Sequence, residues 1–254
     1  MKKVFPKKWL GQHFLNDEQI AYEITSSLPA YSENVLEIGP GMGILSSFLF
    51  QKNYTLKLIE IDSESLCFLK NKFEGKENHF IQGDFLKIDI TQIFDRPFCI
   101  IGNFPYNISS QILFKMLENK HMVTHLVGMF QKEVAERICG CKGKRTYGIL
   151  SVFVQAYYNT EYLMTVPSHV FNPPPKVESA VIRLTRKENF ILNCNEIEFF
   201  RLVKKAFNQR RKKLRNALKE YSFDNTVEES FFQKRAEELS VDDFIHLTNG
   251  IIKI

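Results

Sequence analysis

Between residues 33 and 130, short apolar runs alternate with helical stretches, and that alternation constrains the fold more than any other feature of the chain. Val35-Leu36-Glu37-Ile38, Thr55 to Ile61, His79-Phe80-Ile81, Phe98-Cys99-Ile100-Ile101 and His125 to Met129 read as strands. Ile44 to Gln51, Ser63 to Phe73 (Ser63 as N-cap) and Ser109 to Asn119 read as helices. Repeated strand–helix–strand units predict a mostly parallel sheet. A further helix, Asn16 to Ser27 with Asn16 as cap, precedes it. After residue 145 the pattern changes. A helix over Tyr147 to Tyr158 precedes two strands, Glu161 to Val166 and Ser179 to Thr185, joined through Pro173-Pro174-Pro175. They predict an antiparallel hairpin at a sheet edge. From Asn195 onward only helices are expected: Glu196 to Gln209, Lys212 to Glu220, Val227 to Leu239 and Val241 to Gly250. With Arg186 to Asn195 as linker, the chain divides into an α/β domain over 1–186 and a small all-helical domain over 187–254.

The net charge of +5 (34 basic, 29 acidic residues) understates the local charge. Arg201, Lys204, Lys205, Arg210, Arg211, Lys212, Lys213, Arg215 and Lys219 follow one another with no acid among them. Lys2, Lys3, Lys7 and Lys8 form a second cluster, and Lys142, Lys144 and Arg145 a third. Such blocks attract polyanions, because each neutralised phosphate releases condensed counterions. The consecutive Arg210, Arg211, Lys212 and Lys213 face all round a helix and are expected to contact an RNA backbone, with a monomer as the binding species. A hydrophobic fraction of 44% excludes a mainly disordered chain. No apolar run reaches the ~18 residues of a membrane span, and the basic N-terminus lacks the apolar stretch of a secretory signal. An odd count of five cysteines then predicts reduced thiols in a cytoplasm. Cys139-Gly140-Cys141 and the pair His121/His125 lack further ligands nearby, so no metal is expected.

The chemistry gathers at the predicted strand ends. Glu37-Ile38-Gly39-Pro40-Gly41-Met42-Gly43 closes the first strand, and Gly39 and Gly41 let a ligand approach the backbone. The third glycine comes one residue too early for a dinucleotide fingerprint, and Pro40 removes an amide, so a nucleoside is favoured over a pyrophosphate. A carboxylate at the next strand end can accept both ribose hydroxyls; Glu60 is preferred, with Asp62 the alternative. Asp84 after Gly83 can accept an adenine amino group. Asn103-Phe104-Pro105-Tyr106 follows the fourth strand. An adenine amino group is a poor nucleophile, and its methylation needs acceptors for its N–H groups. The Asn103 oxygen and a backbone carbonyl fixed beside Pro105 suit that need, while Tyr106 can stack on the base.

Together these segments resemble the ribosomal RNA adenine dimethyltransferases, most nearly the bacterial branch acting on small-subunit RNA. The matching stretches are Leu10 to Leu15, Glu37 to Gly43, Asn103 to Ser109, Gln131 to Val134, Tyr147-Gly148, Phe171 to Val177 and Phe207 to Lys212. The resemblance implies a Rossmann-like, seven-stranded S-adenosylmethionine-dependent methyltransferase sheet. It implies cofactor contacts from His13, Leu15, Gly39, Glu60, Asp84 and Asn103, and stacking of the target base between Tyr106 and Phe171. It implies the partner, small-subunit (16S) rRNA within the assembling 30S subunit, and dimethylation at N6 of two adjacent adenines in its 3′-terminal hairpin loop. Phe104 stands where the family more often has Leu, and His13 where many members have Asn. Two rival readings share the fold: a large-subunit (23S) enzyme conferring antibiotic resistance, and a non-catalytic RNA-binding assembly factor. A nicotinamide dehydrogenase is disfavoured by the glycine spacing.

Overall fold

The computed structural model describes residues 4–252; Lys2 and Lys3 of the N-terminal basic cluster lie outside the described residues. The alternating segment forms β2 (Asn34–Ile38), α2 (Ile44–Leu49), β3 (Thr55–Glu60), α3 (Ser63–Lys72), β4 (Phe80–Gln82), β5 (Phe98–Asn103), α4 (Ser109–Glu118) and β6 (Val123–Gln131). It is preceded by β1 (Phe14–Leu15) and α1 (Glu18–Ser26) and followed by α5 (Lys132–Ile138), α6 (Ile149–Tyr157), β7 (Tyr158–Val166), β8 (Phe171–Asn172) and β9 (Ser179–Arg186). Seven strands make one sheet in the order β4-β3-β2-β5-β6-β9-β7. The first five are parallel, as the crossover helices require. Their inner strands are continuous apolar runs because helices cover both faces: Val35, Leu36, Ile100, Ile101, Leu126 and Val127 are all fully buried.

Several expectations shift. The C-terminal strand pair is not an edge hairpin alone: β9 runs antiparallel to β6 from His125↔Thr185 to Gln131↔Ser179, which leaves β7 as the edge. Strand order follows which partner offers the longer matching apolar face, and β6 is the long inner strand. The helix caps are aspartates one residue away from those expected. Asp17 rather than Asn16 accepts the Ile20 N–H at 2.9 Å, and Asp62 rather than Ser63 caps α3. Two-residue β1 pairs antiparallel with β8 in a small second sheet, through Phe14↔Asn172 and Leu15↔Phe171.

By chain contacts there are two compact units, 1–135 with 161–186, and 136–160 with 187–254. The segment 136–160 therefore packs with the C-terminal helices. Within that second unit, α7 (Glu196–Asn208), capped by Asn195, buries Phe199, Leu202, Val203, Ala206 and Phe207 at helical spacing. Phe207 meets Phe244 of α9 (Val241–Asn249) at 5.9 Å, and α9 opens with a Ser240/Asp243 capping box. The intervening expectations fail. Lys212 to Glu220 contracts to α8 (Leu214–Ala217), and Val227 to Leu239 holds only two short 3₁₀ turns, Glu229–Gln233 and Ala236–Glu238. The Leu214 N–H donates to the Lys234 carbonyl at 2.8 Å, and Lys213 pairs with Arg235. Those bonds tie the two segments to each other at Lys213–Leu214 and Lys234–Arg235, where the sequence predicts longer helices.

Candidate active site

In an open α/β sheet, ligands bind outside the carboxyl ends of the strands where the strand order reverses. Here the reversal lies between β2 and β5. A cleft opens there, lined from the first unit alone by residues following β2, β3, β4 and β5 and by residues 10–15 of the N-terminal segment. The cleft is open to solvent, and its space counted with that open mouth is about 1170 Å³.

The loop after β2 makes the floor. Gly39 and Gly41 both have positive φ, 65° and 54°, which side chains disfavour. A Cβ on Gly41 would stand 2.9 Å from the Phe14 ring, whereas one on Gly39 would meet nothing within 4 Å and would point into open space. The loop is thus pressed against β1 at one glycine and bare toward the cleft at the other. Leu15, buried at 4% exposure, belongs to both the cleft wall and the core.

Three carboxyl groups border the cleft. Glu60 at the end of β3 is buried, and its oxygens accept the Gly41 N–H at 3.1 Å and the Asp62 N–H at 2.9 Å. Burial holds its carboxyl above the ordinary range although both amides favour the charged form. Asp62, the alternative from the sequence, does not line the cleft. Its oxygens take Lys7 Nζ at 2.5 Å, Ser65 Oγ at 2.9 Å and the Glu64 N–H. Burial opposes its ionisation, and these donors outweigh that and hold it below the ordinary carboxylate range. Asp84 lines the cleft, with Oδ1 accepting the Leu86 N–H at 2.9 Å. Glu37 was missed from the sequence because an acid inside an apolar run carries no spacing signal. It lies buried at the cleft floor, accepts Ser46 Oγ at 2.6 Å, and is pushed up to about 8, chiefly by burial.

At the end of β5, Asn103 donates through Nδ2 to the His13 carbonyl at 2.9 Å. A carbonyl can only accept, so this bond fixes the amide and leaves Oδ1 as an acceptor with no donor among the described residues. The Pro105 carbonyl is taken by the Ile108 N–H at 3.2 Å, so the Phe104 carbonyl is the backbone acceptor without a donor among the described residues. Phe104 itself is buried at 1% exposure, in the slot left by Gly102 and Gly128, which face each other across β5 and β6. A Cβ on either would lie 2.7 or 2.2 Å from the ring. Tyr106 is half-buried; its ring stacks on that of His13 at 5.6 Å and 28°. His13 Nδ1 lies 2.7 Å from the Pro173 carbonyl and donates to it.

Two expectations on the target-binding side change. Phe171 does not line the cleft: it is 3% exposed in β8, packed in the core opposite Leu15, because β1 lies over it. Of the basic run in the second unit, Arg210 is half-buried and already paired. It donates to Glu237 at 2.6 Å and to the Arg145 carbonyl at 2.7 Å. Lys213 Nζ donates to Gln233. Arg211 and Lys212 are exposed, and their side chains form no ion pair among the described residues. No helix among those residues is long and apolar enough to cross a membrane, and no group of three or more His, Cys, Asp or Glu among them could hold a metal.

A protein-family profile described as ribosomal RNA adenine dimethylase matches residues 6–253. The chain is 52% identical to the ribosomal RNA small subunit methyltransferase A of Bacteroides thetaiotaomicron, covering 99% of this chain and 96% of that one. It is 54% identical to the protein of the same name from Flavobacterium johnsoniae, with 99% and 97% covered. Among solved structures it is similar to a dimethyladenosine transferase from Plasmodium falciparum, with TM-score 0.79, 28% identity, and 92% and 96% of the two chains covered. The 23S rRNA methyltransferase ErmE shares the fold at TM-score 0.76 and 23% identity, over 94% and 99% of the chains. A mostly parallel sheet with its cleft at the order reversal, an acceptor on Asn103 and a match over almost the whole length converge: the chain belongs to the ribosomal RNA adenine dimethylase family.

Proposed function

We propose that this protein dimethylates N6 of two adjacent adenines in the 3′-terminal hairpin loop of small-subunit (16S) rRNA, with S-adenosylmethionine as methyl donor. The cleft fits that cofactor. Glu60 and Asp84 line it, and they would accept the ribose hydroxyls and the adenine amino group, beside an apolar wall at exposed Ile61. Gly39 leaves space for the amino-acid end beside Gly41, and His13, Leu15 and Asn103 complete the wall. A ligand carrying sulfonium and ammonium charges suits a cleft bordered by carboxyl groups. When bound, the cofactor supplies an electrophilic methyl group on its sulfonium.

The observation that carries the reading is the fixed orientation of Asn103. Its Oδ1 and the Phe104 carbonyl can accept the two N–H bonds of an adenine amino group, drawing density onto nitrogen as it pyramidalises. Pro105 fixes the backbone directly after them, so the acceptors are preorganised. Tyr106 offers one ring face to the base, the other being covered by His13. No strong base is needed, since the product ammonium loses its proton to water. A hairpin-loop adenine is already partly unstacked, which lowers the cost of flipping it. Arg211, Lys212 and Lys213, exposed on the second unit, would bind RNA backbone, with the assembling 30S subunit as substrate, the cytoplasm as compartment and a monomer as the active species. The names of relatives near half identity support the small-subunit over the large-subunit reading, and the open Asn103 acceptor opposes a purely non-catalytic role.

Incubation with labelled S-adenosylmethionine and under-methylated small or large subunits, followed by mapping, tests this. Label on paired adenines of small-subunit RNA is expected; label on large-subunit RNA, or none, overturns it.

A further inference from the structure

Tyr106 is held on more than its ring face. Its hydroxyl lies 2.5 Å from the Oγ of Ser179, the first residue of β9, which is fully buried. Ser179 is placed by the last rung of the β6–β9 ladder, Gln131↔Ser179. Beyond that rung, the Lys132 N–H donates to the Glu178 carbonyl at 3.0 Å and Lys132 Nζ pairs with the Glu178 carboxylate at 2.8 Å. The anchor is therefore as rigid as the sheet.

We propose that Ser179 is the positioning residue that sets the Tyr106 ring against the target base. A tyrosine ring has two free torsions. Stacking on His13, itself tied to the Pro173 carbonyl, restrains the plane of the Tyr106 ring but allows it to slide. The hydroxyl bond removes that freedom, so the exposed face meets the incoming adenine without further ordering. Burial raises the Tyr106 phenol pKa, so the hydroxyl keeps its proton and the bond persists through the physiological range. Ser179 touches neither base nor cofactor and acts through Tyr106 alone. This rests on the reading of Tyr106 as the platform for the base.

The test is a double-mutant cycle on Ser179→Ala, Tyr106→Phe and the double variant. Each is assayed for turnover at saturating cofactor and, without cofactor, for the fluorescence change of a hairpin RNA carrying 2-aminopurine at the target position. Ser179→Ala is expected to lower kcat by roughly five- to tenfold and to reduce the 2-aminopurine response, with cofactor affinity unchanged. Ser179→Thr should restore both. In the Tyr106→Phe background, Ser179→Ala should add nothing, because the bond is already gone. An unchanged kcat in Ser179→Ala, an equal loss in both backgrounds, or a loss confined to cofactor affinity overturns the proposal. A wild-type protein that labels no adenine refutes the functional reading instead, which keeps the two failures distinct.

Discussion

Charge in the cleft and charge in the second unit are held in opposite ways. In the cleft, Glu60 and Asp84 are tied by backbone N–H groups, and Glu37 by a serine hydroxyl. The donors to Glu60 are neutral, so its carboxyl group keeps its capacity for a polar ligand; Asp84 also has Lys87 Nζ at 3.9 Å, and burial keeps the proton on Glu37. In the second unit, cations are cancelled by acids, one within its own helix and three from other segments. Arg201 pairs with Glu198, Lys205 with Glu220, Arg210 with Glu237 and Arg215 with Glu229. A site keeps its field where dipoles hold it and loses it where counter-charges do. Asp62 shows the same contrast inside the first unit: paired with Lys7, it has become an anchor for the N-terminal segment, while Glu60 two residues earlier remains open to the cleft.

The contrast breaks most visibly at Asn103. Asn103→Ala should lower single-turnover methyl transfer by roughly 10²-fold or more, since the lost acceptor serves the transition state. Near-normal turnover would remove the open acceptor from the mechanism. Next is Glu60→Ala, which deletes charge-assisted bonds worth ~1.5–3 kcal/mol each. Calorimetric titration with S-adenosylmethionine should show the loss of affinity while RNA binding stays constant. Asp62→Asn should weaken cofactor binding far less, by loosening the Lys7 anchor.

Glu37 gives a pH signature. Its folded pKa, about 8, lies above its ordinary 4.5, so its contribution to stability is complete below about 4.5 and is lost as pH rises through about 8. Glu37→Gln keeps the acceptor for Ser46 and removes the titration. The Tm of the variant relative to wild type should therefore climb between pH 5 and 8.5, and parallel Tm curves would show that burial does not hold the proton there. The smallest effects are expected in the second unit. Arg211→Gln with Lys212→Gln should reduce the salt slope of subunit binding by roughly 0.7–0.9 per lost phosphate contact. Arg210→Gln should leave that slope unchanged and cost at most ~1 kcal/mol of stability, as expected for a partly exposed pair. Equal slopes in both variants would erase the distinction drawn between paired and open cations.

The cleft was legible in the sequence because its residues follow strand ends, where a short motif and the sheet topology fix position together. Gly39, Gly41, Glu60, Asp84, Asn103, Pro105 and Tyr106 all line it. Phe171 was misplaced because β1 and β8 are two residues long, too short for any periodicity to reveal that one covers the other. Glu37 and Ser179 were invisible because each looks like an ordinary strand residue until the fold supplies its partner. The basic run misled for a related reason. Its counter-charges lie 27 residues away for Arg210 and 15 for Lys205, beyond the reach of local charge counting.

Phe104 and its two glycines limit which substitutions this slot admits. A Cβ at Gly102 would also sit 2.6 Å from the Ile38 carbonyl, and one at Gly128 would enter the phenyl ring's own volume. Positions 104 and 128 are therefore coupled, whereas Gly102 is required by the Ile38 carbonyl whatever stands at 104. Replacing Phe104 by leucine would leave part of the slot empty, and a volume loss of that kind in a packed interior costs on the order of 1 kcal/mol or more. Gly128→Ala should disrupt packing beside Phe104 and cost less in a Phe104→Leu background, so the two substitutions are not independent.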